Sequence, residues 1–168
     1  MTRERELEII ELIKREVKPA LGCTEPIAVS LAVAKAAEVL REIGIEPEKV
    51  EVSVSGNILK NGMGVGVPGT GMVGLHIAAA LGVTCGVSDY KLEVLKDLDK
   101  PRIDRAKQML EEKAVSISLA ETDKKLYILA KCISGIHSAS AIIEDNHDKI
   151  TRSEERRVGK DCSYRWWP

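Results

Sequence analysis

Leu7, Ile10, Ile13 and Val17 recur three or four residues apart with charges between them, the spacing of one apolar face on a surface helix running from Arg3 to Val17. Pro19 stops it. From Thr24 to Ile43 nearly every face is apolar, with Ile27, Leu31, Val33, Val39 and Leu40 set among alanines. That pattern predicts a core helix covered on most sides. Thr24 suits the N-cap, and Glu25 and Pro26 suit a first turn whose N–H groups have no intrahelical partner. The period then changes to two. Val50, Val52 and Val54 alternate with Glu51, Ser53 and Ser55, which marks a half-buried strand ending at Gly56. Asn57 to Gly62 separate this strand from a glycine loop, in which Gly62, Gly64, Gly66, Gly69, Gly71 and Gly74 follow in close succession.

Helical character resumes from Leu75 to Leu81, with two more helices expected at Lys91 to Leu98 and at Pro101 to Lys113. Val115 to Leu119, Leu126 to Ile133 and Ile136 to Ile143 read as strands, with Asp123-Lys124 and Ser134-Gly135 as turns. The expected class is α+β: N-terminal helices, one of them a buried core helix, packed on a small mixed or antiparallel sheet. Lys149-Ile150 begins a further strand that breaks off. From Arg152 onward no period of either kind survives, and Tyr164, Trp166 and Trp167 crowd the last five positions of a chain otherwise poor in aromatics. Residues 1–150 are therefore expected to form the domain, and 151–168 a disordered tail of non-native character.

A length of 168 residues suits one domain with a real core. A formal net charge of -1 and a pI near 6.3 argue against a nucleic-acid surface. No apolar run is long enough to cross a bilayer and no signal-peptide pattern opens the chain, so no membrane partner is expected. Four scattered cysteines suit a reducing cytoplasm.

The residue that changes the picture is Cys23. It stands at the mouth of the core helix, where unpaired N–H groups and the positive dipole end favour a thiolate, hence a better nucleophile and metal ligand. A small buried hydrophobe is the plain alternative. Gly64-Val65-Gly66-Val67-Pro68-Gly69 matches a dinucleotide fingerprint in letters, but it neither follows a strand directly nor opens a helix. Gly69-Thr70-Gly71 precedes the helix at Leu75, whose N-terminus suits a small carboxylate. Lys60 and Asn61 bring a cation and an amide to the same loop, suited to a carboxylate or to protonating a developing carbanion. His137 follows a turn and has small neighbours, while His76 lies within a helix and His147 within a charged turn. Cys85 and Cys132 lack partners at metal spacing and read as buried thiols.

The runs Glu16 to Pro26, Asn57 to Gly62, Val67 to Leu75 and Leu92 to Asp97 together resemble the iron-sulfur L-cysteine desulfidases, relatives of the catalytic chain of iron-sulfur L-serine dehydratases. The resemblance covers most of the first 145 residues. It implies that Cys23 is one of three thiolate ligands to a [4Fe-4S] cluster with one open iron, that no pyridoxal phosphate takes part, and that L-cysteine undergoes β-elimination to hydrogen sulfide, ammonia and pyruvate. Gly135-Ile136-His137-Ser138 falls where the family has a Gly-His-Thr motif. Taken with the residue chemistry above, the expected site comprises Cys23 on the metal, Lys60 and His137 as catalytic groups, and Asn57, Asn61, Gly69, Thr70 and Gly71 as substrate contacts. The other two cluster cysteines of the family lie in a C-terminal helical domain with no match here. The chain is thus expected to be a fragment, inactive alone, whose partners are an amino-acid substrate, that missing domain and, in a homo-oligomer, further copies of itself. Three other functions fit the same residues: L-serine deamination, carboxylate binding without chemistry, and an interaction domain with an open sheet edge.

Overall fold

The computed structural model describes residues 2–157 except 18 and 19. Helix α1 (Arg3–Glu16) begins at Thr2, whose hydroxyl accepts from the Arg5 N–H at 3.4 Å. Helix α2 (Thr24–Glu42) is the expected core helix, and twelve of its nineteen residues are buried. Strand β1 (Lys49–Val54) carries its valines inward. After the hairpin β2 (Gly66–Val67) and β3 (Met72–Val73) come helix α4 (Leu75–Thr84), a 3-10 segment (Ser88–Glu93), helix α5 (Lys100–Glu111) and strands β4 (Val115–Leu119), β5 (Tyr127–Ser134) and β6 (His137–Glu144). The class is α+β as expected.

The stretch between β1 and the glycine loop, to which the letters assign no element, is a short helix, α3 (Gly56–Gly62), anchored by Ile58 in the core. Two expectations are corrected. The helix expected at Lys91 to Leu98 is replaced by the 3-10 segment, with Lys91 at φ 52°, a left-handed conformation that no α-helix continues. The region after Ile150 is not wholly unstructured either. Ile150–Arg157 forms strand β7, antiparallel to β6 from Ile143↔Ile150 to His137↔Arg157 with a bulge at Ile142/Ile143. An outer strand joins its neighbour through backbone groups, so charged side chains such as Arg152 and Glu154 do not prevent it. Residues 158–168, the remainder of the expected tail, lie outside the described residues.

The five-stranded sheet runs in the order β4-β1-β5-β6-β7, parallel only between β1 and β4. Helix α2 lies over β5 and β6, and α4 lies beside it towards β4, with α5 against α4. Because sheet and helices cover α2 together, Ile27, Leu31 and Leu40 are fully buried, each stabilising the fold by about 1.5–3 kcal/mol. The helices α2 and α4 meet at Gly82, where an added Cβ would lie 2.6 Å from the Ser30 carbonyl oxygen and 2.8 Å from Val33 Cβ. Only glycine allows that approach. Ser30 Oγ then donates to the Ala78 carbonyl at 2.7 Å and satisfies itself across the same seam.

Candidate functional site

One end of the sheet gathers most of the candidate residues. Strand β1 ends there and passes into α3, α2 begins there, and the β6–β7 turn returns there, since Tyr127 at the start of β5 pairs with Glu144 at the end of β6. Gly22, at φ +102°, turns the chain into α2, and a Cβ on it would lie 2.9 Å from Pro68 Cγ. Glycine is therefore required twice over: for the left-handed backbone and for contact with the β2–β3 hairpin.

Cys23, not Thr24, is the N-cap of α2, and its sulfur is exposed. Cys23 Sγ–H donates to Glu25 Oε2 at 2.9 Å, Thr24 Oγ1 donates to the same oxygen at 3.3 Å, and Asn61 Nδ2 donates to Glu25 Oε1 at 3.3 Å. Glu25 is thus the hub that joins α2 to α3. The hydrogen bond to the Glu25 carboxylate holds the Cys23 thiol above the ordinary thiol range; partial burial adds to this, and the helix-terminal N–H groups oppose it. This corrects the expected thiolate. The helix end acts in the expected direction, but a carboxylate in direct contact outweighs it. Glu25 is held below the usual carboxylate range, chiefly by the Cys23 hydrogen bond, with Asn61 and the nearby charge of His147 acting the same way.

Asn57 and Lys60 are exposed on α3 beside Asn61. Gly69, Thr70 and Gly71 form the turn of the β2–β3 hairpin rather than a lead into α4. Thr70 Oγ1 donates to the Val67 carbonyl at 2.7 Å and accepts from the Met72 N–H at 3.0 Å, so its hydroxyl is spent on the turn. Helix α4 starts instead from Gly74, with no side-chain cap.

His137 is not brought to this end. It opens β6 opposite Ser134, where β5 passes Lys49 at the start of β1, so the length of the sheet separates it from Cys23. Its Nδ1 is buried without a hydrogen-bond partner, 3.8 Å from Glu155 Oε1. His147, set aside from the sequence, is the histidine that stands near Glu25. No local pattern announces it, because strand register alone carries the β6–β7 turn there.

The remaining thiols behave as buried side chains. Burial pushes Cys85, at the end of α4, up to about 11. Cys132, under α2 and donating to the Val33 carbonyl at 3.7 Å, is pushed up to about 12. Cys162 lies outside the described residues. Among the described residues, no group of three or more His, Cys, Asp or Glu could hold a metal ion, and no helix is long and apolar enough to cross a membrane. A groove of about 240 Å³ lined by Leu21, Pro68, Gly69, Leu95, Lys96 and Leu98 opens beside the Gly22 turn.

No family model matches the chain, and no solved structure matches it. Curated relatives do. A UPF0597 protein of Bacteroides fragilis is 55% identical over 148 residues, 88% of this chain and 34% of the relative. A UPF0597 protein of Bacteroides thetaiotaomicron is 53% identical over the same extent, and one of Shewanella pealeana is 46% identical over 157 residues, 91% of this chain and 35% of the relative. The chain is similar to these UPF0597 proteins at 46–55% identity and spans about a third of their length.

Proposed function

We propose that the chain is the cysteine-bearing third of an L-cysteine desulfidase. The observation that carries this reading is Cys23 itself: an exposed thiol at the N-terminus of the core helix, bonded to Glu25, which Asn61 holds in turn. The resemblance in the runs around Cys23, Asn57–Gly62 and Val67–Leu75 supports it. The described residues fit a [4Fe-4S] cluster by one ligand, Cys23, because Cys85 and Cys132 are buried and held protonated elsewhere in the core. When bound, such a cluster supplies a Lewis acid that loosens the leaving sulfur.

This chain's own residues have separate work. Glu25 Oε2 already holds the Cys23 S–H and is placed to take that proton when the sulfur becomes a ligand. Asn61 orients the carboxylate through Oε1. Lys60, one residue earlier on α3, supplies an exposed cation for a substrate carboxylate. The reaction consumes L-cysteine and water and yields hydrogen sulfide, ammonia and pyruvate.

The test joins this chain to the remainder of the Bacteroides fragilis relative, in place of the matched region, and reconstitutes iron and sulfide anaerobically. Sulfide and pyruvate released from L-cysteine, abolished in Cys23→Ala and retained in Cys85→Ala, support the reading. Pyruvate from L-serine alone would assign deamination, and a chimera that binds no iron and turns over neither amino acid would remove the catalytic reading. The isolated chain is expected to bind no stoichiometric four-iron cluster, since one exposed thiol leaves most coordination to solvent.

A further inference from the structure

Helix α1 is amphipathic, and among the described residues none of its large apolar side chains is buried. Leu7, Ile9, Ile10, Leu12 and Ile13 are each 37% or more exposed. A helix of this length is marginal in water without a packed face, and the Thr2 cap supplies only a small part of what is missing. The exposed apolar surface continues at Val17 and Leu21 and reappears at Met63 and Val73. Among the described residues twelve large apolar side chains are exposed. Ten belong to α1 or to the Cys23 end of the fold, and only Ile43 and Ile136 lie towards the other end. Such clustering marks a surface built to be covered.

The shape of the apolar arc says by what. At 100° per residue, Leu7, Ile9, Ile10, Leu12 and Ile13 span roughly 220° of the helix, far wider than the narrow seam of a paired coiled coil. The heptad continuation of that seam from Leu7 and Ile10 also meets Lys14. A helix with so wide an arc belongs inside a body that packs it on several sides. The matched region is about a third of the relatives' length, so two-thirds of their polypeptide has no counterpart here. We propose that α1 is a docking element that inserts into that additional part of the polypeptide, and that the rim around Cys23 forms the floor of the same contact. This goes beyond the catalytic reading, and its test needs neither iron nor activity.

The measurement is amide hydrogen exchange on the isolated chain and on the chimera with the remainder of the Bacteroides fragilis relative. Helix α2 serves as the internal standard of folding. The expected result is α1 exchange slowed at least about 100-fold in the chimera and fast in the isolated chain, with α2 protected in both. Leu7→Asp with Ile10→Asp is expected to leave the melting temperature of the isolated chain unchanged and to lower that of the chimera. Equal exchange of α1 in both proteins overturns the proposal. So does concentration-dependent protection in the isolated chain at twice the monomer mass, which would make a second copy the occupant. If α2 itself is unprotected in the chimera, the comparison passes to the unmodified relative against its matched third alone. Fast exchange of the α1 segment in that full-length protein is then the refuting result. Protection of α1 in a chimera that releases no sulfide would keep the docking and end the desulfidase reading.

Discussion

Replacing Glu25 by Gln should make Cys23 more reactive, against the intuition that loss of a neighbouring polar contact dulls a site. The carboxylate accepts the Cys23 S–H at 2.9 Å and stabilises the protonated sulfur, while its charge opposes the thiolate. A charge-assisted hydrogen bond is worth about 1.5–3 kcal/mol when water is excluded. Cys23 is exposed, and solvent screening reduces such a contact to about 0.4–1 kcal/mol. At about 1.36 kcal/mol per decade, that is a roughly two- to fivefold increase in thiolate and hence in alkylation rate below the thiol pKa. Asn61→Ala should act in the opposite direction, because without the 3.3 Å amide contact the carboxylate is a stronger acceptor.

The assay is iodoacetamide labelling at about pH 7.5, resolved by site with mass spectrometry, in a Cys162→Ser background so that the fourth cysteine does not contribute. Cys85 and Cys132 are internal zeros, since both are buried. An unchanged or slower rate at Cys23 in Glu25→Gln, with the fold intact by circular dichroism, would refute the argument. It would mean that the helix terminus, not the carboxylate, governs the sulfur.

Three further outcomes follow from the packing. Above about pH 9 an unfolded chain releases thiol protons that native Cys85 and Cys132, pushed up to about 11 and about 12, retain; stability present below the unfolded pKa is therefore lost as pH rises, by about 1.4 kcal/mol per pH unit for each thiol. Urea midpoints measured at increasing alkaline pH should fall more steeply for the native sequence than for Cys132→Ala, and equal slopes would contradict the assignment. Gly82→Ala should destabilise by about 1–3 kcal/mol, because the new Cβ meets the Ser30 carbonyl oxygen at 2.6 Å, whereas Gly64→Ala, with nothing within 4 Å, should be near neutral by thermal melting. Ending the chain at Lys149 removes β7 and bares the β6 edge, and the melting temperature should drop by at least about 4 °C. A drop of under about 1 °C would show that β7 adds nothing to the sheet.

Where apolar periodicity carries an element, the chain is readable from its letters: α2 from its all-round apolar faces, and β1 from Val50, Val52 and Val54. The failures have a common physical cause. Helix α3 (Gly56–Gly62) is short, with glycine at both ends and two asparagines, and what holds it is the burial of Ile58 and the Ser55 hydroxyl, which accepts from the Tyr127 N–H at the start of β5. Strand β7 is charged throughout its middle and is held by the ladder to β6, a partner its own letters do not name. Both elements exist because of long-range contacts that local pattern does not encode.

The same division runs through the site. That Cys23 precedes a helix is legible, since Thr24-Glu25-Pro26 can open one. That its sulfur is protonated is not, because the deciding contact comes from a side chain two residues on, itself hydrogen-bonded by Asn61 thirty-six positions away. The exchange of histidines makes the point more strongly. His137 has the better local neighbourhood, yet the antiparallel register that pairs it with Ser134 carries it to the far end of the sheet, and the next turn of the same meander brings His147 back towards Glu25. In an antiparallel meander successive turns alternate between the two ends, so residues about ten apart on consecutive turns are separated by the length of a strand. Which histidine lies at the Glu25 end of the sheet is therefore decided by strand parity along the meander, and sequence spacing close to a motif carries little weight against it.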